Sequence, residues 1–390
     1  MSRMAGAGCA SGDPIQSAFI PDCSLSSSFE LALKHPSDAT GEALFAFFTY
    51  HPATRGLLLG EDLSRHSRYV GAMPDVLPWL LDGDPAIRWQ ALRDLCGAPA
   101  RDVARARALV AREGWGAAFL ARQDEAGTWA GALYSPKWTS TTYTLLDLRC
   151  LGLPPGNPQA RRGCRVLLRE GFHTDGGINF WKRWTKTSET CVTGIVLSVL
   201  AHFRLTDRRI PEIAAHLCRV QMADGGWNCQ SVRGATHGSF HTTILALEAL
   251  LEYERAFGSQ EKVGEAQRRG REFLLVHRLF RSHRTGKVVK PQFLRAVFPS
   301  RWHYDTLRAL DYFQAAGAPR DPRLQDAIAI LERDREAGGQ WRLPRGYPGR
   351  VWFEMEPAGA PSRWNTLRAL RVLRWWSGAE SQHGGVESAR

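Results

Sequence analysis

Four glycine-rich turns constrain this chain more than any other feature: Gly127-Thr128-Trp129, Gly176-Gly177-Ile178, Gly225-Gly226-Trp227 and Gly338-Gly339-Gln340-Trp341. The first three stand 49 residues apart, at 127, 176 and 225. A fixed period of that length marks a repeat architecture, in which each unit buries its apolar face only against its neighbours. Each turn follows an apolar helical stretch. A polar loop then leads to a second stretch that opens near Thr, His, Asp or Asn: residues 141–151, 191–203, 241–253, 305–313 and 365–375. The spacing of Leu, Val, Ile and Ala there is helical, and Thr, Ser or Asn at the start suits an N-cap. The expectation is an all-α solenoid or closed ring, with the more apolar helices inside and their N-termini gathered at one end.

The repeat pattern also sets the expected domain organisation. Residues 1–72 are rich in Ser, Gly and Ala, lack a sustained helical period and read as a low-order N-terminal extension. Residues 73–378 form the repeat domain, and 379–390 read as a disordered tail. The net charge of +12 favours anionic partners, but no finger, helix-turn-helix or RNA-binding signature accompanies it, so no nucleic-acid partner is expected. No run approaches eighteen uninterrupted apolar residues, which excludes a transmembrane segment and leaves only peripheral lipid contact open. Eight scattered cysteines without a Cys-x-x-Cys pair or a signal peptide argue against a disulfide framework and for a reducing cytoplasm.

One short stretch concentrates reactive side chains. Residues 181–192 hold Arg183, Lys186, Glu189 and Cys191, and His241 stands fifty residues beyond Cys191, where the next apolar run begins. Thiolate and imidazole are preferred zinc ligands, and a carboxylate completes a three-residue set with a fourth position open. Residues i and i+2 lie about 200° apart in a regular helix, so Glu189 and Cys191 converge on one ion only where the backbone is entering the helix. The exposed amides and dipole of that helix end favour an anion, which reinforces Arg183 and Lys186.

The repeats resemble those of squalene cyclases and protein prenyltransferase β subunits. The resemblance rests on helix pairs of about fifty residues, on Gln221-x-x-Asp224-Gly225-Gly226-Trp227 and on Gln123-Asp124-Glu125-Ala126-Gly127-Thr128-Trp129, and it spans roughly residues 75–378. It implies an α/α toroid, helical pairs closing into a barrel around a central cavity. The prenyltransferase pattern Arg-x-x-Lys-x-x-Asp-x-Cys followed by a His is similar to Arg183-x-x-Lys186-x-x-Glu189-x-Cys191 and His241 here. The resemblance therefore implies zinc held by Glu189, Cys191 and His241, the three residues at the centre of catalysis, and an isoprenoid diphosphate held by Arg183 and Lys186. Glu189 replaces the family's Asp, and Val192 stands where the family has a diphosphate-binding Tyr. Lys137 sits near the position of a diphosphate-binding His and is the expected substitute. Nothing in the chain resembles the α subunit on which protein prenyltransferases depend.

Each of these residues also has a plainer role to play. Cys191 fits a small buried hydrophobe and His241 a cap or core histidine; Cys229 and His237 are alternative ligands in the preceding loop. His303 and Asp305 open a later inner helix and are candidates for the cavity wall, though Asp305 is also an ordinary helix cap. Trp138, Trp184, Phe240, Trp302 and Trp364 are the aromatic candidates for a hydrocarbon-lined lumen, against the alternative that Trp in the Gly-x-Trp turns locks adjacent repeats.

Three functions follow as expectations. The leading one is a zinc-dependent prenyltransferase-like enzyme that activates a thiol to attack an allylic diphosphate. The second is a terpene cyclase of class II, which protonates an alkene or epoxide; its Asp-x-Asp-Asp motif is absent, so an unorthodox acid such as Asp305 or Glu189 has to serve. The third is a non-catalytic toroid that binds a lipid or a partner protein.

Overall fold

A computed structural model of the chain describes residues 76–378. The expected N-terminal extension and C-terminal tail lie outside the described residues. The described part is all-α apart from one two-residue antiparallel pair, β1 (Trp341–Arg342) with β2 (Pro361–Ser362).

Six inner helices run in order: α2 (Pro85–Asp94), α5 (Thr141–Leu151), α7 (Thr190–His202), α9 (Phe240–Phe257), α11 (Thr306–Ala315) and α13 (Arg363–Ser377). Five outer helices alternate with them: α3 (Ala100–Leu109), α6 (Pro158–Gly171), α8 (Arg209–Arg219), α10 (Glu261–Val276) and α12 (Gln325–Arg333). Short helices α1 (Val76–Leu81) and α4 (Gly114–Leu120) complete the set. The inner helices are expected at 141–151, 191–203, 241–253, 305–313 and 365–375, and they begin within two residues of those positions.

Burial separates the two rings as the sequence pattern requires. Every residue of α7 from Thr190 to Ala201 is buried, the mark of a helix covered on all sides. The outer helix α8 buries Ile210, Ile213, Ala214 and Leu217, spaced three to four apart, and so presents one face to the core.

The repeated turns explain how the pairs hold together. In three repeats the turn donates a backbone N–H to a threonine in the first turn of the next inner helix: Trp129 to Thr141 Oγ1 (3.0 Å), Ile178 to Thr193 (3.0 Å) and Trp227 to Thr243 (2.9 Å). Trp341 does the same to Thr366 at 3.0 Å. Gly225 shows why the turn needs glycine: its φ is +86°, and a Cβ there would meet Arg269 O at 2.5 Å. The indoles of Trp129, Trp227 and Trp341 are buried and donate to Phe119, Leu217 and Leu331 carbonyls at the end of the preceding helix. These tryptophans lock the units together, as the second of the two readings of Gly-x-Trp holds. Gln221 adds the link between neighbours, donating both to Gly225 O (2.7 Å) and to Ala266 O on α10 (2.8 Å).

The ring is closed. Trp89 Nε1 on α2 donates to Leu151 O on α5 at 2.9 Å, and on its other side α2 receives Arg371 of α13, which donates to Gln90 Oε1 at 3.0 Å. First and last inner helices are thus neighbours, and the arrangement is an α/α toroid around a central space. No helix among the described residues is long and apolar enough to cross a membrane.

Candidate active site in the central cavity

The N-terminal ends of the inner helices meet in a packed aromatic layer. Trp138, just before α5, stands edge-on to Tyr143 (4.9 Å between centroids) and to His303 (5.8 Å). His303 lies between Trp302 (3.7 Å) and Tyr347 (3.3 Å), both stacked on it. The segment between β1 and β2 lies across this layer: Arg350 O accepts from Trp138 N–H (2.9 Å), Pro348 O from its indole (3.1 Å), and Trp352 donates to Thr144 (3.2 Å). Gly349 permits the close approach, since a Cβ there would sit 2.4 Å from Trp138 Nε1.

The residues singled out from the sequence fall around this layer but do not converge. Arg183, Lys186 and Trp184 lie on an exposed loop, with Trp184 70% accessible. That loop is pinned at its base, where Asn179 donates to Thr185 O (3.0 Å) and Thr187 O (3.1 Å) and Asp175 accepts from Ser188 N–H (2.8 Å), which turns the two cations outward. Arg183 and Lys186, expected to contact a diphosphate, are not among the residues lining the cavity described below. Lys137 instead rests over the rings of Trp302 (5.5 Å) and Trp138 (5.6 Å).

Cys191 is buried, and burial followed by the nearby Glu189 carboxylate pushes its thiol well up. Glu189 is itself raised by burial, against the pull of Arg233 and Lys137. His241 accepts the Tyr304 N–H at 2.8 Å through Nδ1, and burial, then Lys290 and Arg308, push it down to about 3. Thiol and imidazole are both held neutral. Among the described residues no three His, Cys, Asp or Glu side chains form a group able to hold a metal ion, so Glu189, Cys191 and His241 do not fit the expected zinc. Cys229 and His237 belong to no such group either.

The remaining candidates take structural places. Phe240 packs against Phe273, Phe293 and Tyr304, all with ring centroids 5.0–5.5 Å away. Asp305 caps α11, accepting from Arg308 N–H at 2.7 Å. Trp302 stands edge-on to His241 at 5.1 Å. Of the five aromatic candidates for the lumen, only Trp364 borders the cavity described next.

That cavity, about 570 Å³, opens among the later turns of the inner helices. Its wall carries nine arginines and five carboxylates drawn from α2, α3, α5, α9, α11, α13 and the intervening loops. Most are paired. Glu248 on α9 takes a two-pronged contact from Arg308 (2.6 and 2.8 Å) and a third from Arg149 (2.9 Å). Asp311 on α11 is held by Arg371 (2.5 and 2.5 Å) and Arg368 (3.1 Å). Glu252 faces His202 at 3.3 Å. Glu248, Glu252 and Asp311 are all held below the usual carboxylate range, by these cations acting against burial.

Asp147 stands apart from that network. It is 3% exposed, its Oδ2 has no hydrogen-bond partner, and the nearest cation, Arg301 Nε, is 3.9 Å away and equally unpartnered. Burial pushes the Asp147 carboxyl up to about 6, with Arg301 only partly opposing it. Arg301 is 8% exposed and lies over the Trp138 ring at 4.7 Å, at the boundary between the aromatic layer and the cavity. Its backbone is left-handed, φ +51°, an unfavourable conformation for a side chain of this size. Arg308 fixes it there by donating to Arg301 O (2.7 Å) and His303 O (2.6 Å). Neither Asp147 nor Arg301 stood out in the sequence. The signal that was present is a charge inside an otherwise apolar inner helix: Asp147 follows Leu145 and Leu146 in α5.

Comparison with known proteins adds little to this geometry. The chain matches no family profile, and no curated protein is similar to it in sequence. Among solved structures, a protein from Actinoplanes aligns with a TM-score of 0.39 and 18% identity over 76% of this chain and 90% of that one. The type II terpene cyclase MstE from Scytonema, in its apo form, gives 0.39 and 18% over 76% and 88%. An arginine-to-alanine variant of MstE in complex with geranylgeranyl dihydroxybenzoate gives 0.37 and 17% over 76% and 86%. At scores this low the likenesses do not bear on what this chain binds.

Proposed function

We propose that the central cavity is an active site for proton-initiated chemistry, with Asp147 as the general acid. This is the cyclase-type reading of the toroid, with an acid different from the Asp305 and Glu189 that the sequence suggested. The observation that carries it is the Asp147 carboxyl: buried in the cavity wall, without a hydrogen bond to Oδ2, and raised to about 6. An acid is most effective when its pKa lies near the working pH, because it is then both protonated often enough and willing to give the proton up. Asp305 is spent on its helix cap, and Glu189 lies outside the cavity lining.

An acid of this strength suits an oxygen acceptor, an epoxide or a carbonyl, better than a bare alkene. On an epoxide the proton goes to oxygen, the electrons of one C–O bond follow it, and an alkene's π electrons close a new C–C bond to the carbon left behind. Loss of a proton from the resulting cation returns one to Asp147, and the product is an isomer of the substrate. Thiol transfer receives no support from the geometry, since Arg183 and Lys186 lie on an exposed loop and no metal-holding group forms among the described residues.

Two measurements test the reading. Infrared difference spectra against Asp147→Asn should show a protonated-carboxyl band that titrates away near pH 6. Turnover of small epoxide-bearing acids to isomeric products should fall at least about a hundredfold in Asp147→Asn, the usual contribution of a general acid. Isomerisation that proceeds unchanged in that variant overturns the proposal.

A further inference from the structure

The unpartnered atoms in the cavity wall are mostly donors. Two buried N–H donors that line it, Arg149 Nε and Arg301 Nε, have no hydrogen-bond partner, against a single acceptor oxygen, Asp147 Oδ2. Arginines also outnumber carboxylates there by nine to five. Glu248 and Asp311 each satisfy two arginines, which leaves Arg301 as the deep cation least compensated by its surroundings. Its one ionic neighbour is Asp147, too far away for a hydrogen bond and a carboxyl that burial biases toward the neutral form. A hydrocarbon in this space would cover charged groups and offer them nothing in return, and burying an unpaired charge is strongly unfavourable. An anion would complete them.

The backbone supports the same conclusion. The strained φ of Arg301 and the two hydrogen bonds from Arg308 hold the loop that carries Arg301 in the cavity lining. Such strain persists only where the surroundings enforce it, and it gathers at sites that bind or react. The volume, about 570 Å³, suits a small metabolite.

We infer that the cavity takes a small anionic substrate, with its carboxylate or phosphate seated against the Arg301 guanidinium beside Asp147. The inference deepens the active-site reading by naming the substrate class, and it can fail without that reading failing. A bound anion satisfies Arg301 and strengthens the hold of Asp147 on its proton, so the charge on the substrate prepares the acid next to it. The arginines nearer the rim, Arg93 and Arg107, both over the Trp89 ring at 4.6 and 4.9 Å, draw anions toward the opening.

Isothermal titration of the full chain with pyrophosphate, with citrate and with glucose as an uncharged control tests the inference. One of the two anions should saturate a single site per chain, glucose should not, and the pair of anion titrations tells phosphate from carboxylate. Arg301→Gln should weaken that binding by at least about tenfold, the scale of one lost charge-assisted hydrogen bond, with Arg301→Lys in between. Asp147→Asn should strengthen it several-fold by removing the competing negative charge, a gain that a misfolded variant cannot imitate. Absence of saturable anion binding, or an Asp147→Asn variant that binds no more tightly, overturns the inference. Tighter anion binding in Asp147→Asn with turnover intact would instead remove the acid and keep the anion site, and lost turnover without the anion effect would do the reverse.

Discussion

The two ends of the ring are built from the same helices and have opposite character. At the N-terminal ends Trp302, His303 and Tyr347 stack on one another with Trp138 edge-on to His303, beneath the strap between β1 and β2, and His241 and Cys191 are kept neutral. Along the later turns the lining changes to arginine and carboxylate, and a cavity opens. The turns that join the repeats are nearly identical, so they define the ring without saying which end does the chemistry. That choice lies in a few charged residues inside the inner helices.

The sharpest test of the contrast is the removal of Glu248, which bridges Arg149 and Arg308 in the wall. Glu248→Ala leaves two buried guanidinium groups without their main partner and should cost about 3–5 kcal/mol in urea unfolding. Arg183→Ala and Lys186→Ala, on the exposed loop, should each stay within about 0.5 kcal/mol. A large loss at Arg183 or Lys186 would mean that the loop is built into the core after all.

Asp147 gives the next largest effect, and it depends on pH. Its folded pKa, about 6, lies above the ordinary carboxyl value of 3.8, so its contribution is fully present below pH 3.8 and is lost as pH rises through 6. Asp147→Asn should therefore gain stability over the wild type between pH 4 and pH 7.5, by up to about 3 kcal/mol. A stability difference that stays flat over this range would place Asp147 in a polar, well-paired setting.

His303 tests the closed end with the opposite sign. Burial, then His241 and Lys137, push it down to about 2, so its contribution is present above the unfolded value near 6.5 and is lost as pH falls. His303→Phe keeps the stacking, and should leave stability unchanged above pH 7 and raise it by about 1–2 kcal/mol at pH 5. Anion binding in the cavity should not respond. Smallest of the four is Trp227→Phe, which loses the hydrogen bond to Leu217 O and should cost about 1 kcal/mol in thermal unfolding.

The ring was legible in the sequence because its signals are local. The glycines at 127, 176, 225 and 339 all have positive φ, and Thr141, Thr193, Thr243 and Thr366 receive the turn N–H groups in those four repeats. Trp129, Trp227 and Trp341 sit where a lock between units requires them. The site was not legible, because its members come from separate helices. Asp147 and Arg149 lie on α5, Glu248 and Glu252 one turn apart on α9, Arg301 before α11, and Arg368 and Arg371 on α13. The stretch from Arg183 to Cys191 is compact in sequence, but Asn179 and Asp175 tie down its loop and turn Arg183 and Lys186 outward, while Glu189 and Cys191 enter the buried start of α7. Proximity along the chain did not become convergence in space. The cue that pointed to the real cavity was charge within apolar inner helices, where no solvent-exposed face accounts for it.

The measurement that bears most directly on the central claim is a crystal structure of the full chain with the tighter-binding of pyrophosphate and citrate. The account predicts the anion in the cavity between the later turns of the inner helices, within hydrogen-bonding distance of the Arg301 guanidinium and beside Asp147. An anion held instead by Arg183 and Lys186, or among Cys191, His241 and Lys137 at the aromatic end, would contradict it.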